Sequence, residues 1–318
     1  MAKIAVTGGA GFIGSNLVTR LISEGHQVTV IDDLSTGLVS NINNQDCIFH
    51  NISITDISAL ENAISNCETI FHFGARGSVP RSILNPVATH NVNATGTLNV
   101  LELARKSGAH IVFSSSSSVY GRNNVLPKRE SMWLGPTTPY AASKLAAEAY
   151  IQSYSSTFQI PATIFRFFNV FGPRQRPDHE YAAVIPKWIW LAMNDKPIEV
   201  YGDGTVTRDF TYIETVIDVA MAALNGKVTT QGAVNLAYGS KISLNEIINQ
   251  LKEHFPKLKV NYKENRFGDV RDSQNSPELL IKLFPNVVPR PFKDSLELTI
   301  SWIEKFGHLI TKHSKTLS

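Results

Sequence analysis

The sequence predicts an α/β protein: a doubly wound parallel sheet in the first half of the chain, followed by a smaller C-terminal α/β domain. Three observations carry this. Short β-branched runs alternate with amphipathic stretches up to about residue 168, the rhythm of strand–helix–strand crossovers. The first run passes directly into a glycine-rich turn that opens a helix. Beyond Asn169 the rhythm weakens, because Pro173, Pro177, Pro186, Pro197, Gly202 and Gly204 break the chain into loops and short elements.

Taken in order, residues 4–6, 27–31, 69–72, 110–114 and 162–167 read as strands. The stretches 14–24, 93–107 and 140–155 place apolar residues at helical spacing, and in the second half 244–254 and 292–305 do the same. The expected division is residues 1–168 and 169–318, with segments of the second part free to cross back onto the sheet. Sheets of this kind bind ligands outside the carboxyl ends of their strands.

Composition narrows the function. The chain has 318 residues, 43% hydrophobic and 18% charged, with a formal net charge of +3. That is an ordinary globular balance, and no run of Lys and Arg is long enough to follow a nucleic-acid backbone. The expected partner is a small molecule. Cys47 and Cys67 fall in no metal or disulfide spacing, and the nine histidines show no ligand pairing, so no metal is expected. The chain passes at once from Met1 into a strand without a signal segment, and the apolar stretch 185–193 is too short to span a bilayer. A reducing cytoplasm fits this composition.

After the first strand, residues 7–14 read TGGAGFIG, with glycines at 8, 11 and 14. Glycine allows a tight turn and lets the backbone approach a pyrophosphate, whose charge then rests on the amides of the following helix. Phe12 and Ile13 belong to the same loop. A second strand ends in Asp32, 18 residues after Gly14, where a carboxylate can accept hydrogen bonds from ribose hydroxyls. Asp33 follows, and residues 32–41 contain no Lys or Arg, so a 2′-phosphate would meet acid without a compensating cation. The expected cofactor is NAD.

Tyr140 and Lys144 lie at i and i+4, on one helix face with Cβ atoms about 6 Å apart. An ammonium there stabilises tyrosinate and lowers the phenol pKa, which is chemistry for taking a proton from an alcohol. The strand at 110–114 ends in the run Ser114 to Ser118, whose hydroxyls sit where they can bond a reacting sugar oxygen. Asn93 reads equally as a helix cap or as a cofactor contact. His72, at a strand end, reads as structural, and no Ser-His-Asp arrangement stands out.

These motifs together resemble the extended short-chain dehydrogenases that act on nucleotide sugars, which share a Rossmann sheet. The resemblance rests on TGGAGFIG at 7–14, SSSSSVYG at 114–121, PYAASK at 139–144, FRFFNVFGPRQ at 165–175, YGDG at 201–204, RDF at 208–210 and RFGDVRDS at 266–273. It implies that Ser116 completes a triad with Tyr140 as base and Lys144 on the nicotinamide ribose. It implies that Asn169, Arg208, Arg266 and Asp269 hold UDP with Tyr201 near the uracil, and that Asn51 and Ile52 lie near the adenine. It also implies a homodimer.

Within that class, dehydratases carry acids at the two positions before Val-Tyr-Gly and decarboxylases keep the Glu, whereas Ser117 and Ser118 stand here. Elimination then lacks its general acid, and 4-epimerisation of a UDP-sugar through a 4-keto intermediate is the chemistry that remains. Finer resemblance, in GSVPRS at 77–82, NVFG at 169–172, YAAVIPKW at 181–188 and GDVRDS at 268–273, points to enzymes preferring N-acetylated UDP-hexosamines. It implies sugar contacts from Ser78, Gln175, Val184 and Ser273. The alternatives are a dehydratase, decarboxylase or uronic acid epimerase on this scaffold, and a dinucleotide sensor without chemistry.

Overall fold

The computed structural model describes residues 1–178, 182–264 and 272–314, with the side chains of 308–314 excepted. The strands are β1 (Lys3–Thr7), β2 (Gln27–Ile31), β3 (Ile48–His50), β4 (Thr69–His72), β5 (His110–Ser116), β6 (Ala162–Phe167), β7 (Asn169–Phe171), β8 (Ile198–Tyr201), β9 (Thr207–Arg208), β10 (Phe210–Tyr212), β11 (Ala233–Leu236), β12 (Ile242–Ser243) and β13 (Val260–Lys263). The helices are α1 (Phe12–Ser23), α2 (Ile57–Ile64), α3 (Val79–Leu84), α4 (Pro86–His90), α5 (Gly96–Ser107), α6 (Pro139–Phe158), α7 (Val184–Met193), α8 (Ile213–Asn225), α9 (Leu244–His254), α10 (Glu278–Leu283) and α11 (Phe292–Ser314). A π-helical turn, Asn91–Thr95, leads into α5.

Seven strands form one parallel sheet in the order β11-β6-β5-β4-β1-β2-β3. The alternation along each strand explains why helices cover both faces. Ile4, Val6, Val28, Val30, Phe71, Val112 and Phe165 pack on one side with Leu17, Val18 and Leu21 of α1 and Val216 and Val219 of α8. Their neighbours Ala5, Ile31, Ile70, Ile111, Phe113 and Ile164 pack on the other with Leu60 of α2, Val100 and Ala104 of α5 and Ala147 and Ile151 of α6.

The five expected strands are present, and β5 runs two residues further, to Ser116. The seventh strand, β11, comes from residues 233–236, and α8 packs on α1. A cut at residue 168 therefore divides this sheet, since the second half crosses back onto it. The other described strands of that half form two-stranded pairs, β7 with β10, β8 with β13 and β9 with β12. No helix among the described residues is long and apolar enough to cross a membrane.

Candidate active site

A cleft of about 440 Å³ opens above the carboxyl ends of β1, β2 and β4. Gly8, Gly11, Phe12, Ile13 and Gly14 form its floor, and Asp32, Asp33, Ser35, Thr36, Asn41, Ile52 and Ile54 line one end. The glycines are needed sterically. Gly8 has φ +69°, and a Cβ there would stand 2.8 Å from the Gly74 nitrogen; a Cβ on Gly14 would stand 2.2 Å from the Gly8 carbonyl oxygen. The N-cap of α1 is Gly11, with no side chain to cap the first turn, so its amides face the cleft as an anion cradle. These features fit a dinucleotide.

Asp32 does more than meet a ribose. Its Oδ2 accepts from the Ala10 N–H (3.0 Å) and its Oδ1 from the Leu34 N–H (2.9 Å), so it staples the glycine turn to the end of β2. Burial raises its pKa above the usual carboxylate range, against these backbone donors. Asn51 is exposed just past β3, while its neighbour Ile52 is in the cleft wall. Asn93 lies beneath the wall at 1% exposure: its Oδ1 accepts from the Arg76 N–H (2.8 Å) and its Nδ2 donates to Ser143 Oγ (2.9 Å). Asn93 sits at the middle of the π-helical turn.

Ser116, Tyr140 and Lys144 meet at the end of β5. Thr138 caps α6 by accepting from the Ala141 N–H (3.2 Å), and Pro139 occupies the first turn, so Tyr140 stands at the start of a rigid helix. Ser116 faces the Tyr140 phenol and favours its ionised form. Lys144, 3% exposed, donates from Nζ to the Ser114 carbonyl (2.7 Å), over the Phe113 ring at 4.8 Å from its centroid. The Lys144–Tyr140 electrostatics differ from the sequence expectation. Burial raises the Tyr140 pKa above its ordinary value, and what opposes the rise is Ser116, not the lysine. Burial also lowers the Lys144 pKa to about 7, while the Glu148 carboxylate opposes that fall.

The buried ammonium has a measurable consequence. Below about pH 7 Lys144 is charged in both folded and unfolded chains, and burial makes it costly in the fold; between 7 and 10.5 the folded protein sheds the proton first and that cost shrinks. Lys144→Met is therefore expected to stabilise the ligand-free protein at pH 6 by on the order of 2–4 kcal/mol, with the gain fading toward pH 10. Denaturant melts across that range check it; a destabilised variant at pH 6 would refute the reading.

On the substrate side, Ser78 and Gln175 line the cleft. Gln175 is placed by the loop that precedes it: Asn16 Nδ2 donates to the Pro173 carbonyl (3.1 Å) and Arg174 donates to the Ser15 carbonyl (2.6 Å), docking this loop on α1. Asn169 on β7 donates to the Asp209 carbonyl (3.1 Å), Val184 opens α7, and Tyr201 and Arg208 end β8 and β9. Ser273 is half-buried beside Arg208, its N–H bonded to the Thr207 carbonyl (3.1 Å). Arg266 and Asp269 lie outside the described residues.

Sequence reasoning missed Asp209. Fully buried, its carboxylate accepts from the N–H groups of Gly239 (3.0 Å), Ser240 (3.0 Å) and Asn275 (2.9 Å) and from Ser240 Oγ (3.0 Å). It thus fixes the turns on either side of Arg208 and Ser273. Burial lifts its pKa to about 6. The only signal was its place inside RDF.

Residues 4–237 match the family model described as NAD dependent epimerase/dehydratase family. The chain is 40% identical over 253 residues to a Methanocaldococcus jannaschii protein provisionally named UDP-glucose 4-epimerase, covering 78% of this chain and 81% of that one. Its fold matches UDP-N-acetylglucosamine 4-epimerase from Methanobrevibacter ruminantium M1, solved with UDP-N-acetylmuramic acid, with TM-score 0.90 and 32% identity over 96% of this chain and 98% of that one. It also matches UDP-glucuronic acid 4-epimerase from Bacillus cereus, solved with UDP-glucuronic acid and NAD, with TM-score 0.85 and 30% identity over 96% of this chain and 99% of that one. With its glycine cradle, strand-end Asp32 and Ser-Tyr-Lys arrangement, the chain belongs to the NAD-dependent epimerase/dehydratase family, with NAD as its cofactor.

Proposed function

We propose that the protein is a UDP-sugar 4-epimerase that interconverts UDP-N-acetylglucosamine and UDP-N-acetylgalactosamine. One observation carries the choice of epimerisation over elimination. Ser117 and Ser118 directly follow Ser116, and among the described residues the only carboxylates in the cleft wall are Asp32 and Asp33, at the end away from Ser114. Glu148, the acid nearest the triad on α6, is 1% exposed and paired with Arg166. Among the described residues no carboxylic acid there stands ready to protonate a departing hydroxyl.

NAD held over the glycine turn supplies the two-electron acceptor, restored at the end of each cycle. Tyr140 takes the proton of the sugar 4-hydroxyl, and Ser116 bonds the same oxygen as it becomes the 4-ketone. The ketone turns about its link to the diphosphate so that its other face meets the cofactor; hydride returned to C4 on that face would be matched by the proton that Tyr140 returns to the 4-oxygen. Asn169, Tyr201, Arg208, Arg266 and Asp269 hold the UDP while the sugar turns, which is where remote binding energy serves the reaction.

The N-acetyl preference draws support from Ser78, Gln175 and Ser273. A small residue at 273 leaves room for an acetamido group in both sugar orientations. Ser273→Tyr is expected to cut turnover of UDP-N-acetylglucosamine by roughly 10-fold or more while sparing UDP-glucose, since a filled pocket is worth about 1–3 kcal/mol in discrimination. Parallel assays on the two substrates decide it: an equal fall in both would mean that Ser273 only supports its loop through the Thr207 bond.

We infer that the protein works as a homodimer. Ile83, Leu84, Val87 and Tyr150, on α3, α4 and α6, are exposed at 61, 75, 68 and 41%, the kind of apolar surface an interface covers. A monomer mass in light scattering would contradict this.

A further inference from the structure

We propose that His72 is a positioning residue: a neutral imidazole protonated only on Nε2, which locks the nucleotide-binding turn to the catalytic helix through Thr7 on one side and Thr97, Asn93 and Ser143 on the other. The case is a proton inventory, in which each hydroxyl has one hydrogen to give and a carbonyl has none.

The inventory starts at the helix. Ser143 Oγ lies 2.8 Å from the Tyr140 carbonyl, so its hydrogen is spent there and it receives the bond from Asn93 Nδ2 (2.9 Å). The Asn93 orientation is fixed in turn, because the atom facing the Arg76 N–H at 2.8 Å must be the amide oxygen. Thr97 Oγ1 is 2.6 Å from the Asn93 carbonyl and must donate to it. Its contact with His72 Nε2, at 2.9 Å, is then one in which the ring donates.

The other ring nitrogen follows. Thr7 Oγ1 accepts from the Gly74 N–H (3.0 Å), and its own hydrogen has His72 Nδ1 at 2.7 Å as acceptor, provided that Nδ1 is bare. An imidazolium would turn that bond around and strand the Thr7 hydrogen in an interior where Thr7 is 0% exposed. Burial acts in the same direction, as does the charge of Lys144, the charged group that faces the ring across Phe113; together they lower the His72 pKa to about 3. Every donor in the chain is used once.

The two ends make the chain a positioning device. One end is Thr7 and Gly74, which flank Gly8, where a Cβ would meet Gly74 at 2.8 Å. The other end is the backbone of Tyr140 itself, one helical turn before Lys144. The spacing between the cofactor's turn and the base therefore passes through one ring whose tautomer is set, and a neutral ring adds no second positive charge near Lys144. The sequence reading of His72 as structural is deepened: the residue is buried, and what it supports is the geometry of the site.

Nitrogen NMR of the NAD-bound protein labelled in histidine tests the tautomer, with His72→Gln identifying the signal. The expected result is a neutral ring protonated on Nε2 at every point between pH 5 and 9. A ring protonated on Nδ1, or one titrating near its ordinary pKa, overturns the proposal. This readout does not depend on which sugar is turned over, so its failure is distinguishable from failure of the epimerase reading, on which the kinetic arm rests. In that arm Thr97→Val, close in volume, is expected to lower kcat roughly 10-fold and leave the KM for the UDP-sugar unchanged. His72→Gln, which can remake the bond to Thr97, is expected to keep more of kcat than His72→Phe. Wild-type kcat in Thr97→Val, or a loss confined to KM, would show that the chain does not position the base.

Discussion

Tyr140→Phe is expected to lower turnover by at least about 10²-fold while UDP binds as it does to the wild type. The substitution removes one oxygen from a half-buried ring at the start of α6 and leaves the helix cap, the Ser143 bond to the Tyr140 carbonyl and the Lys144 bond to Ser114 in place. The nucleotide contacts proposed for Asn169, Tyr201 and Arg208 lie on other elements. Burial holds the phenol in its protonated form when no ligand is present, and Ser116 opposes that rise in its pKa. Calorimetric titration of UDP and steady-state turnover separate the two effects. A variant that keeps wild-type turnover would remove Tyr140 from the chemistry, and one that loses UDP affinity would place the phenol in the nucleotide site.

The largest effect on stability is expected from Arg166→Met. Arg166 on β6 and Glu148 on α6 are 5% and 1% exposed at their side chains and form a forked ion pair, with Nε to Oε1 at 3.0 Å and the second guanidinium nitrogen to Oε2 at 2.8 Å. Ser115 donates to the same carboxylate, Arg166 also donates to the Tyr120 hydroxyl (3.0 Å), and that hydroxyl donates to Asn235 Oδ1 (2.8 Å) on β11. Removing the guanidinium leaves Glu148 buried without its partner, which costs about 3–5 kcal/mol. For a chain of this length that lowers Tm by on the order of 5–8 °C. Arg166→Met with Glu148→Leu should recover most of the stability, because no charge is then stranded. It should not recover turnover, since Glu148 is the carboxylate that opposes the fall in the Lys144 pKa. A single variant melting within about 1 °C of the wild type would mean that the pair contributes nothing net.

What was legible in the sequence is what repeats with a short period or sits at fixed spacing. The strands at 27–31, 69–72 and 162–167 match β2, β4 and β6, because buried parallel strands read as unbroken apolar runs. The glycines at 8, 11 and 14 and the i, i+4 pair Tyr140 and Lys144 carried their chemistry for the same reason. By contrast β3 has three residues, with Ile48 63% exposed, and in β11 the buried polar Asn235 breaks a run of only three apolar residues, so neither offers a pattern to read. The return of β11 to the sheet is a tertiary fact, and so is the docking of Arg174 on α1. Glu148 and Arg166 are 18 residues apart with no local link, and their pairing becomes visible only once α6 lies across β6. Burial explains the remaining difference, in the Tyr140 pKa: spacing shows that Lys144 is near but not how little water reaches the phenol. Asp32 shows the same gap, because its place at a strand end was readable while the Ala10 and Leu34 amides it ties together were not.

In the mechanism proposed for this enzyme the sugar is oxidised and reduced at C4 and nothing leaves it. UDP-N-acetylglucosamine deuterated at C4, incubated with the NAD-loaded protein and followed by proton NMR, tests this most directly. The expected product is UDP-N-acetylgalactosamine with the deuterium still on C4 and no proton entering there from solvent, because NAD would take up and return the C4 hydrogen while Tyr140 handles only the proton on oxygen. A product that has lost its 6-hydroxyl, or a C4 label washed into water, would rule this out; an unchanged substrate beside an epimerised UDP-glucose or UDP-glucuronic acid would overturn the choice of N-acetylhexosamine and leave the C4 chemistry standing.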